Sequence, residues 1–302
     1  AKAEAFEKQG RKVAARESYF IAAMLYSAAR WPIFENNRVS IDYNTRMVHC
    51  YDKFAKYAPH PVERIEIPFG GKGKFLPGYL HLPREPKPGE KFPCVIGIDG
   101  MDGSKEIMCS MYGDKFLQRG MANFIYDGPG QGECTIHDLH VTEKNHMDAA
   151  LAVWNRLIQH PHIDPERVTI WGISFGSFFA LQAAAALGAR IKGAAVTFVN
   201  HEAGLHSIMD TAAPSFKMRF MYMAGYDDEA KFDKFKKKFS TAPLIPKIKC
   251  PVLIQGGGDD ELSRQAEFGV NYAALALVIS TFYVASGLGQ AFVGIIVDRY
   301  GG

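Results

Sequence analysis

The 302-residue sequence contains no cysteine pair at metal-ligand or disulfide-framework spacing. Its five cysteines, Cys50, Cys94, Cys109, Cys134 and Cys250, are odd in number, widely separated and without a C-x-x-C. That excludes a zinc ribbon or a small stapled fold and makes a reducing cytoplasm the expected compartment. Basic blocks are missing outside Lys234 to Lys238 and the net charge is only +3, so nucleic acid is not an expected partner. With 47% apolar and 22% charged residues, disorder, collagen-like repeats and coiled coil are excluded. No secretory signal opens the chain, which starts at Ala1 without an initiator methionine, as a fragment or a processed product does. One further absence carries chemical weight: of ten histidines, none lies beyond His206.

Residues 1 to 60 read as helical. Phe20, Met24 and Ala28 recur at a spacing of four, Trp31-Pro32 breaks that helix, and a second helix is expected from about Asn44 to Lys56. Beyond Pro59 and Pro61 the texture changes. Val62 to Ile67 and Gly78 to Leu82 alternate as a hairpin around a turn at Gly70 to Lys74. Short apolar runs then interleave with helical stretches. Strands are expected at Cys94–Ile98, Ala122–Tyr126, Val168–Trp171, Ala194–Val199 and Val252–Gln255, and helices at Asn145–Gln159 and Phe175–Leu187. This alternation predicts an α/β fold with a mostly parallel sheet flanked by helices. His201 to Lys249, rich in Met, Phe and Lys, reads as a helical lid insertion at the carboxyl ends of the strands. Within it Phe232, Phe235 and Phe239 have packing spacing, with the intervening lysines solvated.

Gly172-Ile173-Ser174-Phe175-Gly176 matches G-x-S-x-G, in which a serine on a tight strand-to-helix turn is thrust into a site. The pattern alone is weak; a strand before it and an apolar helix after it make it specific. Ser174 is therefore the candidate nucleophile. Phe175 offers the first oxyanion N–H, and Met101, in the Asp99-Gly-Met-Asp-Gly103 loop after an earlier strand, offers the second. Asp127-Gly-Pro-Gly-Gln-Gly132 can shape the site floor but is no phosphate loop, since no GK[ST] follows. The acid of such a triad follows a late strand, which makes Asp260 the first candidate and Asp259 the second. His137, His140 and His146 lack the spacing of a helix-borne metal pair and read as polar loop groups. No metal and no cofactor is called for.

Together with Ser18-Tyr-Phe-Ile-Ala-Ala23, Gly100-Met-Asp-Gly-Ser-Lys-Glu106 and Tyr126-Asp-Gly-Pro-Gly-Gln-Gly132, these features resemble the FrsA-like esterase and dihydropseudooxynicotine hydrolase family of the α/β-hydrolase superfamily. The resemblance covers residues 10 to 262. It implies an N-terminal helical cap domain (1–60) over an α/β-hydrolase core (61–262, lid at about 201–249), with substrate between them. It also implies Ser174 as nucleophile, Phe175 and Met101 as oxyanion donors and Asp260 as triad acid. The implied substrate is a small carbonyl compound, cleaved at an ester or at a carbon–carbon bond beside a ketone.

A triad histidine should follow Asp260, yet none does, although 42 residues remain. Residues 263–302 read as an atypical apolar segment. Tyr272 to Val297 is a run of 26 uncharged residues, the length of a transmembrane helix, and Gly294 to Gly301 resembles the loop after the second helix of major facilitator transporters. His201 or His206 could stand in as base. Expectations therefore include a serine hydrolase impaired for want of a base, a catalytically silent binding protein of the same fold, and a membrane-tethered fusion fragment contacting lipid through residues 272–297. A homodimer is compatible with all three.

Overall fold

The computed structural model describes residues 1–101, 103–109, 114–197, 209 and 213–256. Asp259 and Asp260, His201 and His206, the apolar run 272–297 and the transporter-like loop lie outside the described residues. Among the described residues no helix is long and apolar enough to cross a membrane.

Three helices open the chain: α1 (Lys2–Lys8), α2 (Lys12–Arg30) and α3 (Arg38–Lys56). Burial on α2 follows Ala15, Tyr19, Ala23 and Ser27, one residue before the expected Phe20–Met24–Ala28 stripe. Small residues on this stripe let the helix backbone approach its neighbour closely, whereas Ile21 and Leu25 are left 56% and 64% exposed. Helix α3 begins six residues earlier than expected. Its start is set by Asn37, whose side chain accepts from the Ser40 amide at 2.9 Å and so satisfies a first-turn donor.

The sheet comprises β1 (Val62–Pro68), β2 (Phe75–His81), β3 (Phe92–Ile98), β4 (Ala122–Tyr126), β5 (Ile163–Ile173), β6 (Ala194–Thr197) and β7 (Val252–Gln255). Their order is β1-β2-β4-β3-β5-β6-β7, with β1 and β2 antiparallel and the remaining five parallel. Strands β4 and β7 begin and end as expected; β3 and β5 extend further. Among the described residues two short helices, α4 (Lys105–Met108) and α5 (Asp114–Leu117), lie between β3 and β4, and after β4 comes α6 (Gly132–Ile136). Helices α7 (Asn145–Leu157) and α8 (Phe175–Leu187) flank β5, and α9 (Pro214–Ala224) and α10 (Glu229–Lys236) precede β7.

Strand alternation divides the core by face. Phe124 and Tyr126 face a core shared with α7, α8, α9 and α10, while Ile125 and Tyr79 join Met47, Tyr51, Tyr19 and Ala23 of the N-terminal helices. In the first core Phe232, Phe235 and Phe239 are buried as their spacing predicts, and Phe220 sits against Phe175, Phe232 and Phe239 with ring centroids 4.7, 5.6 and 5.2 Å apart. Lys236 departs from the expected solvated lysines: it is only 4% exposed, with Nζ 3.6 Å from Asp233.

Met47 is fully buried between the N-terminal helices and α4, where Ser104 Oγ lies 3.8 Å from its sulfur. Met47→Ala should lower stability by about 2–5 kcal/mol, the usual cost of such a cavity. Urea unfolding checks this, and an unchanged midpoint would show that the helical layer lends the sheet nothing.

Candidate active site

The sheet order reverses direction between β3 and β5: β4 lies on one side of β3 and β5 on the other. Loops leaving the carboxyl ends of these two strands diverge there, and open α/β sheets bind ligands in the resulting crevice. The loop after β3 carries Met101. The turn after β5 carries Ser174 and leads directly into Phe175, the first residue of α8.

Ser174 has φ +54° and ψ −127°, one of two non-glycine residues with positive φ among the described residues. A side chain rarely adopts this conformation, and the cost is on the order of 1–3 kcal/mol. Its neighbours explain how the turn is tolerated. A Cβ at Gly172 would run into the Gly176 carbonyl, and a Cβ at Gly176 would run into the carbonyls of Ile98 and Asp99. The two glycines thus let the end of β5, the start of α8 and the end of β3 meet. Ser174 N–H donates to Thr197 O at 2.8 Å, so the turn is also tied to the end of β6. The side chain of Ser174 is half-buried and Phe175 is buried. The Phe175 amide is one of the four first-turn donors that a helix leaves without an internal acceptor.

The loop after β3 is held from three directions. Asp99 Oδ1 accepts from the Gly100 amide at 2.7 Å. From the loop after β4, Gln131 Nε2 donates to Asp99 O at 2.6 Å and to Gly100 O at 3.2 Å. From α9, Arg219 Nε donates to Met101 O at 3.1 Å, with its guanidinium 5.0 Å from the Trp31 ring and 5.5 Å from Tyr222. Met101 itself is 2% exposed.

Between the segment after β3 and the loop after β4 lies a buried charge cluster. Lys105 Nζ is within 2.7 Å of Glu106, 3.0 Å of Asp127 and 2.9 Å of Glu133, with no exposure of its own. Asp127 also accepts the amides of Lys105 (2.7 Å) and Glu133 (2.8 Å), and Arg64 on β1 reaches Glu133 at 2.8 Å. Burial alone would drive Glu133 up, but Lys105 and Arg64 outweigh it and hold its carboxyl down at about 2. Burial dominates at Glu106 and raises it. Arg30, the last residue of α2, donates to Gly132 O at 2.9 Å and Thr135 Oγ1 at 2.5 Å, which fastens the N-terminal helices to the same region.

The expected residues Ser174, Phe175 and Met101 sit on the two loops flanking the switch point; Asp260 is outside the described residues. His146 is no loop group: it lies on α7, stacked on Phe179 with centroids 3.5 Å apart. Its Nε2 lies 2.8 Å from Pro129 O, an atom that can only accept, so Nε2 carries the proton, and burial lowers the ring to about 3. The sequence reading missed Gln131, Arg219 and the Lys105 cluster as supports of the site. Gln131 and Asp127 had a local signal, their place within the Gly-rich run, and Lys105 and Glu106 stand in the Gly100–Glu106 motif.

The lowered carboxyl of Glu133 sets the sign of an acid response. Its contribution is complete above its ordinary value of 4.5 and is lost as the pH falls toward about 2. In urea titrations across that range Glu133→Gln should show a shallower acid loss of stability than the wild type; equal slopes would contradict the arrangement.

Comparison with known proteins places these features in company. A family model described as esterase FrsA-like matches residues 1–228. The 2,6-dihydropseudooxynicotine hydrolase of Paenarthrobacter nicotinovorans is 28% identical over 258 residues, 84% of this chain and 65% of that protein. Esterase FrsA of Vibrio vulnificus is 29% identical over 163 residues, 54% of this chain and 37% of that one. The chain spans 37% to 45% of the length of three curated relatives it matches. Among solved structures, a 2,6-dihydroxy-pseudo-oxynicotine hydrolase superposes with TM-score 0.72 at 26% identity, covering 83% of this chain and 68% of its own. AbyA5 superposes at 0.67 with 20% identity, covering 89% and 71%, a likeness of fold.

Proposed function

The chain belongs to the esterase FrsA-like family, and from that premise we propose that it is a hydrolase of small carbonyl compounds with Ser174 as nucleophile. The observation that carries this reading is the positive φ of Ser174 at the β5–α8 turn, opposite the loop that bears Met101. In the proposed reaction Ser174 Oγ adds to the substrate carbonyl and gives up its proton to a base. The N–H groups of Phe175 and Met101 receive the resulting oxyanion. Collapse of the tetrahedral species expels the leaving group, an alcohol from an ester or a carbon acid from a ketone, and water then releases the acyl group from the serine.

Asp260 is the proposed triad acid. Residues 1–60 are the proposed cap and residues 201–249 the proposed lid over a core of 61–262. The names of the relatives, an esterase and a 2,6-dihydropseudooxynicotine hydrolase, support a small-molecule substrate.

A second reading, a binding protein of the same fold with little turnover, holds if no histidine serves Ser174 as base. Without a base the serine hydroxyl stays protonated and weakly nucleophilic. In well-studied triads the residual acceleration is then on the order of 10³–10⁴ over water.

Fluorophosphonate labelling read by intact mass separates the two. An activated serine predicts one adduct in the wild type and none in Ser174→Ala. A folded wild-type chain that takes no adduct would leave the binding-protein reading in its place.

A further inference from the structure

We propose that Gln131 is a positioning residue that aims the Met101 N–H into the oxyanion site, an inference that rests on the serine mechanism above. Gln131 is 2% exposed, and its amide is used at both ends. Its Oε1 accepts from Gly128 N–H at 3.1 Å, and its Nε2 donates to Asp99 O at 2.6 Å and Gly100 O at 3.2 Å. A backbone N–H can only donate and a carbonyl can only accept, so one orientation of the amide satisfies all three contacts.

The decisive geometry is in the peptide between Gly100 and Met101. A trans peptide is planar, with its C=O and the following N–H pointing in opposite directions. Gln131 draws the Gly100 carbonyl toward the loop after β4. The Met101 N–H must then point away from that loop. Arg219 holds the next carbonyl, that of Met101, from the other element. Two successive peptides are therefore fixed by side chains outside the loop. Without such contacts Gly100 would let the peptide rotate, since glycine tolerates most backbone conformations. An oxyanion donor is effective because it is aimed before the charge develops; a donor that must reorient loses that advantage.

Glutamine is needed here for a reason that glutamate cannot meet. A carboxylate at this position could still accept from Gly128 but would offer no proton to either carbonyl. Gln131→Glu and Gln131→Met should both slow phosphonylation of Ser174 by about 10²-fold, the order seen when an oxyanion donor is lost. Binding of a substrate-like inhibitor that forms no oxyanion should be little changed.

A purely structural role would weaken inhibitor binding together with labelling in both variants. Protonation restores a donor to a carboxyl group, so the rate of Q131E relative to wild type should rise between about pH 8 and about pH 5.5, with that of Q131M flat. Wild-type labelling with unaltered rates in both variants overturns the proposal and leaves the serine mechanism standing. A wild type that takes no label overturns the mechanism and the proposal with it. A test that needs no variant to fold is the NMR signal of the wild-type Met101 amide. One signal is expected, and two in slow exchange, from a rotating Gly100–Met101 peptide, would also overturn the proposal.

Discussion

A single buried ammonium, Lys105 Nζ, ties the segment after β3, which carries Met101, to the loop after β4. An unpaired charge cannot be buried without a cost of several kcal/mol. Lys105 is fully enclosed and is matched by Glu106, Asp127 and Glu133. Because Asp127 follows β4 and Glu133 lies on α6, the ammonium fixes the spacing between the loop after β3 and the loop after β4. Asp127 repeats that link through its own two oxygens, which take the amides of Lys105 and Glu133. Arg64 extends the cluster to the sheet edge. Such a cluster is weak as a source of stability, since desolvation offsets most of the attraction. Its effect is geometric: Lys105, Asp127 and Glu133 find their hydrogen-bond partners in one arrangement of the two loops.

The remaining supports converge on the same loops. Arg30 joins the N-terminal helices to residues 132 and 135, and Arg219 joins α9 to Met101. Phe220 lays α9 over Phe175 beside the proposed nucleophile. The helical layer at the start of the chain and the helices before β7 are thus attached to the crevice by buried arginines and an aromatic contact. The strained turn at Ser174 is held the same way, by backbone approaches that only Gly172 and Gly176 permit.

Local chemistry made much of this legible in the sequence. The β5–α8 turn could be read to the residue because G-x-S-x-G separates a β-branched run from an alanine-rich one. Strands β4 and β7 were legible as short apolar runs bounded by Gly120 and Asp127 and by Pro251 and Gly256. The start of α3 was not, since its first turn has no apolar period and the signal rests on one capping residue, Asn37. Helices of four or five residues, α4 and α6, are too short to show periodicity at all. Lys105 illustrates the harder limit. A lysine in a Gly-rich loop region reads as solvated, and its burial depends on carboxylates 22 and 28 residues away that only the folded sheet brings to it. Arg219 is remoter still, 118 residues from the carbonyl it holds.

One carboxylate, Asp127, locks the loops after β3 and β4 at once. Amide hydrogen exchange at Lys105 and Glu133 in Asp127→Asn tests it most directly, because asparagine keeps one acceptor and presents an NH₂ group to the other amide. The account predicts that protection at these two positions falls together, while the amides of β5 and α8 keep theirs. Loss at one position alone, or unchanged protection at both, would contradict it.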